Sequence, residues 1–425
     1  MSDDHNGSTR RGLLRGAGLT AAGAALGAAG APGYPPPAER DVGRVENGRV
    51  TFPEWRGAAE PPSSPPPAPL PPSERVGYAI IGLGRISLEE MMPAMAQSHA
   101  SRVTALVTGS PEKGRAVARQ YGVPEEAVFP YEQLERLRER SDVQAVYVAL
   151  PNAIHREFTE RSAAIGKHVF CEKPMATSVA DAEAMVRACA QANVRLMIAY
   201  RCQYEPYNRA AIELVRKGEL GRLRFIEATN VQINGPAPQW RYNKLLAGGG
   251  AVPDIGIYCL NAARYITGEE PEQVFATLRR GDTSDPRFAE VEEGMGFGLR
   301  FPSGVVAQCV TSYDAFNDKT LRLVFERGVV EMPDAFSYTG QRMRVTRREG
   351  EVAARTERDI EHKNQFMLEA DHFSRCVREG RQPHTPGEEG LQDQRLMAAL
   401  YRSAGENRPV ETPRPNAPTR GPDPG

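Results

Sequence analysis

The residues with the clearest capacity for chemistry in this chain fall into three groups. Gly82-Leu83-Gly84-Arg85-Ile86-Ser87 follows an apolar run, and its glycines permit a tight turn and close backbone approach to a pyrophosphate at the next helix N-terminus. Ser87 stands where a third Gly or Ala is usual, a position that needs a small side chain for helix-against-strand packing. Cys171-Glu172-Lys173-Pro174 follows a second apolar run. The proline holds Lys173 extended, where its cation can polarise a substrate oxygen. Gly248-Gly249-Gly250 leads into Asp254-Ile255-Gly256-Ile257-Tyr258, whose i, i+4 spacing sets Asp254 and Tyr258 on one helix face. Taken alone, that pair reads first as a capping Asp and a buried Tyr.

The elements that must position these groups alternate. Apolar runs at 76–81, 102–107, 144–150, 168–171 and 194–199 predict strands, with helices between them at 111–121 and 179–192. This is a βαβ pattern, so the fold class is α/β: an N-terminal Rossmann, doubly wound parallel sheet with its ligand at the strands' carboxyl ends. Leu150, Asn152 and His155 occupy one such end, and Glu172 with Lys173 another. The second strand ends Thr108-Gly109-Ser110-Pro111-Glu112-Lys113 and carries no acid to bond the ribose 2′-hydroxyl of NAD. Hydroxyls and a cation suit a 2′-phosphate, which predicts NADP over NAD, although Glu112 weakens the positive field.

After residue 200 a helix at 205–217 precedes strand-like runs at 223–229, 273–278, 294–301, 305–311 and 321–325. This succession predicts a C-terminal α+β domain with a large, mostly antiparallel sheet. Lys plus Arg number 53 and Asp plus Glu 54, a balance that removes the electrostatic case for nucleic acid and favours a small-molecule partner. The six cysteines are widely spaced with no C-x-x-C pair, so free buried thiols are expected and no metal site.

The ends read differently. Thr9-Arg10-Arg11-Gly12-Leu13-Leu14-Arg15 before a short Ala/Gly-rich run is similar to a twin-arginine signal over 1–31, a route that carries folded proteins to the periplasm. Of the 35 prolines, 13 fall in 32–72, which predicts an extended arm rather than packed elements. The interruption Val50-Thr51-Phe52-Pro53-Glu54-Trp55 leans towards docking on a folded surface. The tail 406–425 is Pro-rich and expected to be disordered.

Together, Cys171-Glu172-Lys173-Pro174-Met175, Tyr200-Arg201-Cys202, Gln239-Trp240-Arg241, Ala247-Gly248-Gly249-Gly250, Asp254-Ile255-Gly256-Ile257-Tyr258 and Pro386-Gly387-Glu388-Glu389-Gly390 resemble the Gfo/Idh/MocA oxidoreductases. This is the family of nicotinamide-dependent sugar enzymes that includes glucose-fructose oxidoreductase and inositol dehydrogenase. The resemblance spans 76–408, and Tyr258, the signal and the Pro-rich arm lean to the glucose-fructose branch. It implies a Rossmann domain at 73–199, a substrate and oligomerisation domain at 200–405, and a dimer or tetramer. It implies Tyr258 as the acid/base at the sugar hydroxyl, Lys173 as the cation that eases its ionisation, and Asp254 as an orienting carboxylate. It implies cofactor contacts from Gly82, Leu83, Gly84, Arg85, Ile86, Thr108, Gly109, Ser110, Lys113, Tyr131, Leu150, Asn152, His155, Glu172, Lys173, Arg201, Trp240, Arg241, Tyr258 and Tyr338. The expected reaction is ping-pong: an aldose such as glucose goes to its lactone, and a second sugar such as fructose to its polyol, on tightly held NADP. Arg85, Ile86 and Asn234-Gly235-Pro236-Ala237-Pro238 depart from that branch, which leaves an aldose–aldose couple or an ordinary NADP-dependent dehydrogenase open. A non-catalytic sensor on the same scaffold is disfavoured by the joint presence of Lys173, Asp254 and Tyr258.

Overall fold

The computed structural model describes residues 38–53, 75–412 and 414–424; the signal and most of the Pro-rich arm, Trp55 included, lie outside the described residues. A six-stranded parallel sheet runs Val128–Phe129, Ser101–Val107, Val76–Ile81, Ala145–Val148, His168–Cys171, Leu196–Ile198 in spatial order. The order reverses direction on either side of Val76–Ile81, which opens a crevice at the carboxyl ends there. All six residues of Val76–Ile81 are buried, as a strand covered on both faces requires.

Capping sets the helices between the strands. Ser110 accepts from the Lys113 amide at 3.4 Å, and the helix Pro111–Tyr121 ends on Gly122 at φ 66°, a left-handed conformation glycine adopts without steric cost. The predicted bounds of that helix hold. The two-residue strand Val128–Phe129 escaped the sequence reading because a run so short has no periodicity.

The second part builds a ten-stranded sheet whose longest strand, Leu223–Ile233, pairs in parallel with Val306–Ser312 and antiparallel with Leu321–Phe325. The remaining ladders are antiparallel, so the sheet is mixed and mostly antiparallel as expected. The boundary between the parts is less clean than the predicted domains. The helix Gln365–Glu379 returns to the first sheet, where Ser374 Oγ lies 2.9 Å from the Tyr78 hydroxyl and the Phe373 and Phe170 rings stand 5.6 Å apart.

Two expectations about the ends are corrected. Residues 39–51 are not an extended arm: they form the helical turn Glu39–Val42 and a hairpin of Arg44–Glu46 with Arg49–Thr51. No proline occurs between Pro37 and Pro53, and Asn47 and Gly48 take φ of 49° and 76°, the double positive φ of a tight hairpin turn. The tail is docked rather than disordered. Val410–Glu411 adds a strand beside Gln273 and Val274, Thr419 donates to Glu270 at 2.7 Å, and Asp423 pairs with Arg209 and Arg216. Proline removes amide donors, but the carbonyls and charged side chains between the prolines still find partners. The six cysteines are free and buried, as expected.

Candidate active site

The strands' carboxyl ends and the inner face of the large sheet enclose a crevice of about 1020 Å³. Every cofactor and catalytic residue assigned from sequence lines it. At its floor Gly82 has φ 93°, and a Cβ there would meet the Ala149 carbonyl oxygen at 2.3 Å, so no larger residue fits. Ser87 does more than stay small: its hydroxyl donates to the Gly82 carbonyl at 2.6 Å and pins the turn to the helix that follows.

At the adenosine end, Thr108 Oγ1 accepts from the Ser110 amide at 3.2 Å. Thr108 and Ser110 therefore take amide protons and keep their own hydroxyl protons for a ligand. Lys113 is buried, with its Nζ donating to the Val42 carbonyl, and burial lowers its pKa to about 8. Glu112 points outward and does not pair with it. A phosphate beside Lys113 would restore the charge that burial penalises, so this end fits a 2′-phosphate. Tyr131 is buried against Phe158, ring centroids 5.3 Å apart.

The docked arm forms one wall. The Asp41 carboxylate accepts from the Trp240 amide at 2.9 Å and lies near Arg241 and Arg85. Arg85 also donates to the Pro53 carbonyl and stacks over Phe52, 4.6 Å from its ring centre. Asp41 was not singled out from the sequence, because nothing in an isolated Glu-Arg-Asp-Val run marks it as a crevice residue.

Two assigned contacts work differently from expectation. His155 is fully buried and its ring nitrogens lie 3.1 Å from the Pro174 carbonyl and 2.8 Å from that of Leu150. Burial lowers its pKa to about 4, so the ring is neutral with a single N–H, which donates to one of these two carbonyls and holds the ring against the crevice loops. Asn152 likewise gives its amide to the Ala247 carbonyl at 2.9 Å, fixing the glycine-rich turn over the crevice.

The three catalytic candidates converge. Asp254 lies in a short π-helical stretch, Val252–Gly256, that runs into the helix Ile257–Thr267 carrying Tyr258. Such wide turns recur at functional sites. Asp254 does not cap the helix. Its Oδ1 is 3.3 Å from Lys173 Nζ, and its Oδ2 accepts from Arg241 Nε at 3.1 Å and from the Tyr313 hydroxyl at 2.7 Å. Burial opposes its ionisation, but Arg241 foremost, then Lys173 and the Tyr313 hydroxyl, hold it well below the usual carboxylate range. Tyr313 was missed because it lies at a strand end, where a Tyr reads as packing.

Lys173 Nζ donates to the Asp254 carbonyl at 2.6 Å and sits 4.8 Å from the centre of the Tyr258 ring. The Arg201 guanidinium lies 4.7 Å from the centre of the Tyr258 ring and 4.5 Å from that of Tyr338. Burial raises the Tyr258 pKa, and Arg201 leads the influences that lower it. The field expected from Lys173 is thus supplied first by Arg201, since the Lys173 charge is balanced by Asp254. Glu172 accepts from the Tyr147 hydroxyl at 2.6 Å and from the Lys173 amide at 3.1 Å. Asn230 and Gln232, on one face of the longest strand, complete the lining.

This arrangement can hold a dinucleotide along the glycine turn and transfer a proton at a substrate oxygen beside Tyr258. Among the described residues no cluster of His, Cys, Asp or Glu has the form of a metal site, and no helix is long and apolar enough to cross a membrane.

Known proteins of similar sequence carry the same two parts. Residues 76–200 match the family model described as an oxidoreductase family with an NAD-binding Rossmann fold, and 208–331 match the GFO/IDH/MocA C-terminal domain. A D-xylose 1-dehydrogenase [NADP(+)] of Haloarcula marismortui is 32% identical over 77% of this chain and 91% of its own length. The crystal structure of an aldose-aldose oxidoreductase from Caulobacter crescentus complexed with glycerol is 47% identical, with a TM-score of 0.76 over 80% of this chain and all of that one. A 3-ketoreductase from Actinomadura kijaniata in complex with NADP and TDP-benzene is 26% identical, with a TM-score of 0.67 over 77% of this chain and 98% of that one. With both domain models matched in order, the chain belongs to the Gfo/Idh/MocA family of oxidoreductases.

Proposed function

We propose that this protein is an NADP-dependent sugar oxidoreductase that oxidises an aldose at its anomeric CH–OH and passes the hydride to a second sugar without releasing the cofactor. The observation that carries this reading is the Lys173–Asp254–Tyr258 cluster in a crevice whose nucleotide end is walled by the docked segment 38–53. The nicotinamide, when bound, accepts and returns the hydride. The chain supplies the rest. Gly82, Gly84, Thr108, Ser110 and Lys113 would hold the phosphates, with Arg201, Trp240, Arg241 and Tyr338 shaping the remainder.

In the resting site Tyr258 is a phenol, set to donate its proton to a carbonyl oxygen in the reductive half. In the oxidative half it accepts the proton of the sugar hydroxyl, helped by the positive field of Arg201. Asp254, ionised and fixed by Arg241, Lys173 and Tyr313, accepts hydrogen bonds from sugar hydroxyls. Asn230 and Gln232 offer neutral amides to the same polyol.

For the second substrate, an aldose is preferred to fructose, because the 47% identical structure is of an aldose-aldose oxidoreductase. The exported location proposed from the twin-arginine pattern agrees with a retained cofactor, since a folded, loaded protein travels by that route. A homodimer is proposed through the outer face of the large sheet, where Phe225, Val310 and Phe275 are 52%, 48% and 42% exposed. The functional test is product analysis after incubation with glucose alone, then with glucose plus fructose, no nucleotide being added. Equal amounts of lactone and polyol support the reading, and lactone formed only with added NADP indicates an ordinary dehydrogenase.

A further inference from the structure

Within the electrostatic reach of Arg201 lies a buried carboxyl group that the reaction above does not use. Glu369 sits in the helix Gln365–Glu379, one turn after Gln365, and is completely buried. Neither of its carboxyl oxygens has a hydrogen-bond partner. The terminal nitrogens of the nearby Arg201 are engaged elsewhere, and only its Nε has no hydrogen-bond partner. Arg201 donates to Gln365 Oε1 at 2.6 Å, to the Phe336 carbonyl at 2.6 Å and to that of Ser337 at 3.2 Å. The Tyr147 hydroxyl goes to Glu172, and that of Tyr204 lies 3.0 Å from Thr385 Oγ1.

The titratable and charged groups that bear on Glu369 are Glu172 and Arg201, with Tyr147, Cys202 and Tyr204 around the same pocket. Glu172 is a second carboxyl, partly buried where it lines the crevice, and its charge opposes ionisation of Glu369. Glu172 has two donors, Tyr147 and the Lys173 amide, whereas Glu369 has none, so the negative charge belongs on Glu172 and the proton on Glu369. An unpaired buried carboxylate would cost several kcal/mol or more.

We propose that Glu369 is a carboxylic acid that stays protonated at neutral pH, and that it is a positioning residue: its neutrality leaves the Arg201 charge directed at Tyr258. A carboxylate at 369 would interact with Arg201 and offset part of the field that the guanidinium sends to the Tyr258 ring, 4.7 Å away. This step rests on the reading of Tyr258 as the acid/base.

The protonated carboxyl has its own infrared carbonyl stretch, distinct from that of a carboxylate and independent of any sugar. The holoenzyme is compared with Glu369→Gln from about pH 6 to about pH 9, a range in which ordinary Asp and Glu are ionised. The expected result is a protonated-acid band in the wild type throughout, lost in Glu369→Gln. The alkaline limb of the kcat/KM profile should stay in place in that variant, because Gln is neutral like the acid it replaces. No difference in the band overturns the proposal, as does an alkaline limb that moves down by about one pH unit, the sign of a lost negative charge. If Glu369→Gln does not fold, Glu369→Met gives the same infrared comparison. A band at 369 in an enzyme whose profile is indifferent to Tyr258→Phe would overturn the Tyr258 reading, and the positioning role with it.

Discussion

Tyr258 and Lys113 are the residues at which the chemistry is most directly tested. Tyr258→Phe keeps the ring beside Arg201 and removes only the hydroxyl, so turnover should fall by about 10²–10⁴-fold while NADP stays bound. Unchanged rates would place the acid elsewhere. Lys113→Ala should weaken NADP far more than NAD, because only NADP brings a charge for that buried amine to meet. Its pKa of about 8 in the free protein adds a signed pH effect. Phosphate binding must raise that pKa, so NADP affinity should be flat below about pH 8 and weaken as pH rises beyond it, with NAD indifferent. A direct titration of cofactor-free protein against both nucleotides decides this. Folding stability runs the opposite way: a lysine whose folded pKa is depressed from 10.5 to about 8 binds fewer protons in the native state, so its contribution rises with pH across that window. Lys173, Asp254 and Tyr258 are singled out in the sequence by motif position together with the family resemblance, and the structure brings the three side chains together. The sequence does not disclose Tyr313 or Asp41, whose importance comes from contacts with residues 59 and 199 positions away.

Among the elements, the Rossmann strands and the helix Pro111–Tyr121 were legible because long apolar periodicity and caps are local signals. The hairpin at 44–51 was also local, written in Asn47-Gly48, but the prolines on either side masked it in a composition-level reading. That hairpin and the helical turn before it hold a wall of the crevice through Asp41, Lys113 and Arg85. Asp41→Asn should therefore raise the cofactor dissociation rate about tenfold, the effect of weakening charge-assisted contacts by about 1.4 kcal/mol. Stopped-flow displacement of bound NADP measures it, and an unchanged rate would show that the arm is not a retaining element. Asp254 and Tyr258 were placed on one helix face by an ideal-helix argument. The structure brings them to the same site through a π-helical stretch, which periodicity cannot foresee.

Across the whole molecule, the tail and the last helices join what sequence reading separates. Arg264 is fully buried, bonding Glu270, Glu389 and Asp393 at 2.7, 2.8 and 2.5 Å, and Thr419 from the tail reaches the same guanidinium at 3.2 Å. Burying such a group is favourable only while its donors are satisfied. Deleting residues 409–425 should therefore destabilise the protein by about 1–3 kcal/mol, seen as a lower melting temperature with the crevice otherwise competent. No change in melting temperature would mean the docked tail contributes nothing. Long-range partners of this kind, 155 residues apart between Arg264 and Thr419, leave no trace in local composition, which is why the tail read as disordered. The outer sheet face carries a further test at this scale: Phe225→Lys should shift the proposed dimer to monomer in light scattering.

Retention and cycling of the cofactor are read most directly on protein purified without added nucleotide, followed by near-ultraviolet absorbance as sugars are added in turn. Glucose should reduce the bound nicotinamide, seen as a rise in its reduced band, an acceptor sugar in excess should lower that band again, and denaturation should then release NADP. A protein that shows no band until free NADP is supplied, or that loses the reduced nucleotide to solution after each turnover, would contradict a retained, cycling cofactor.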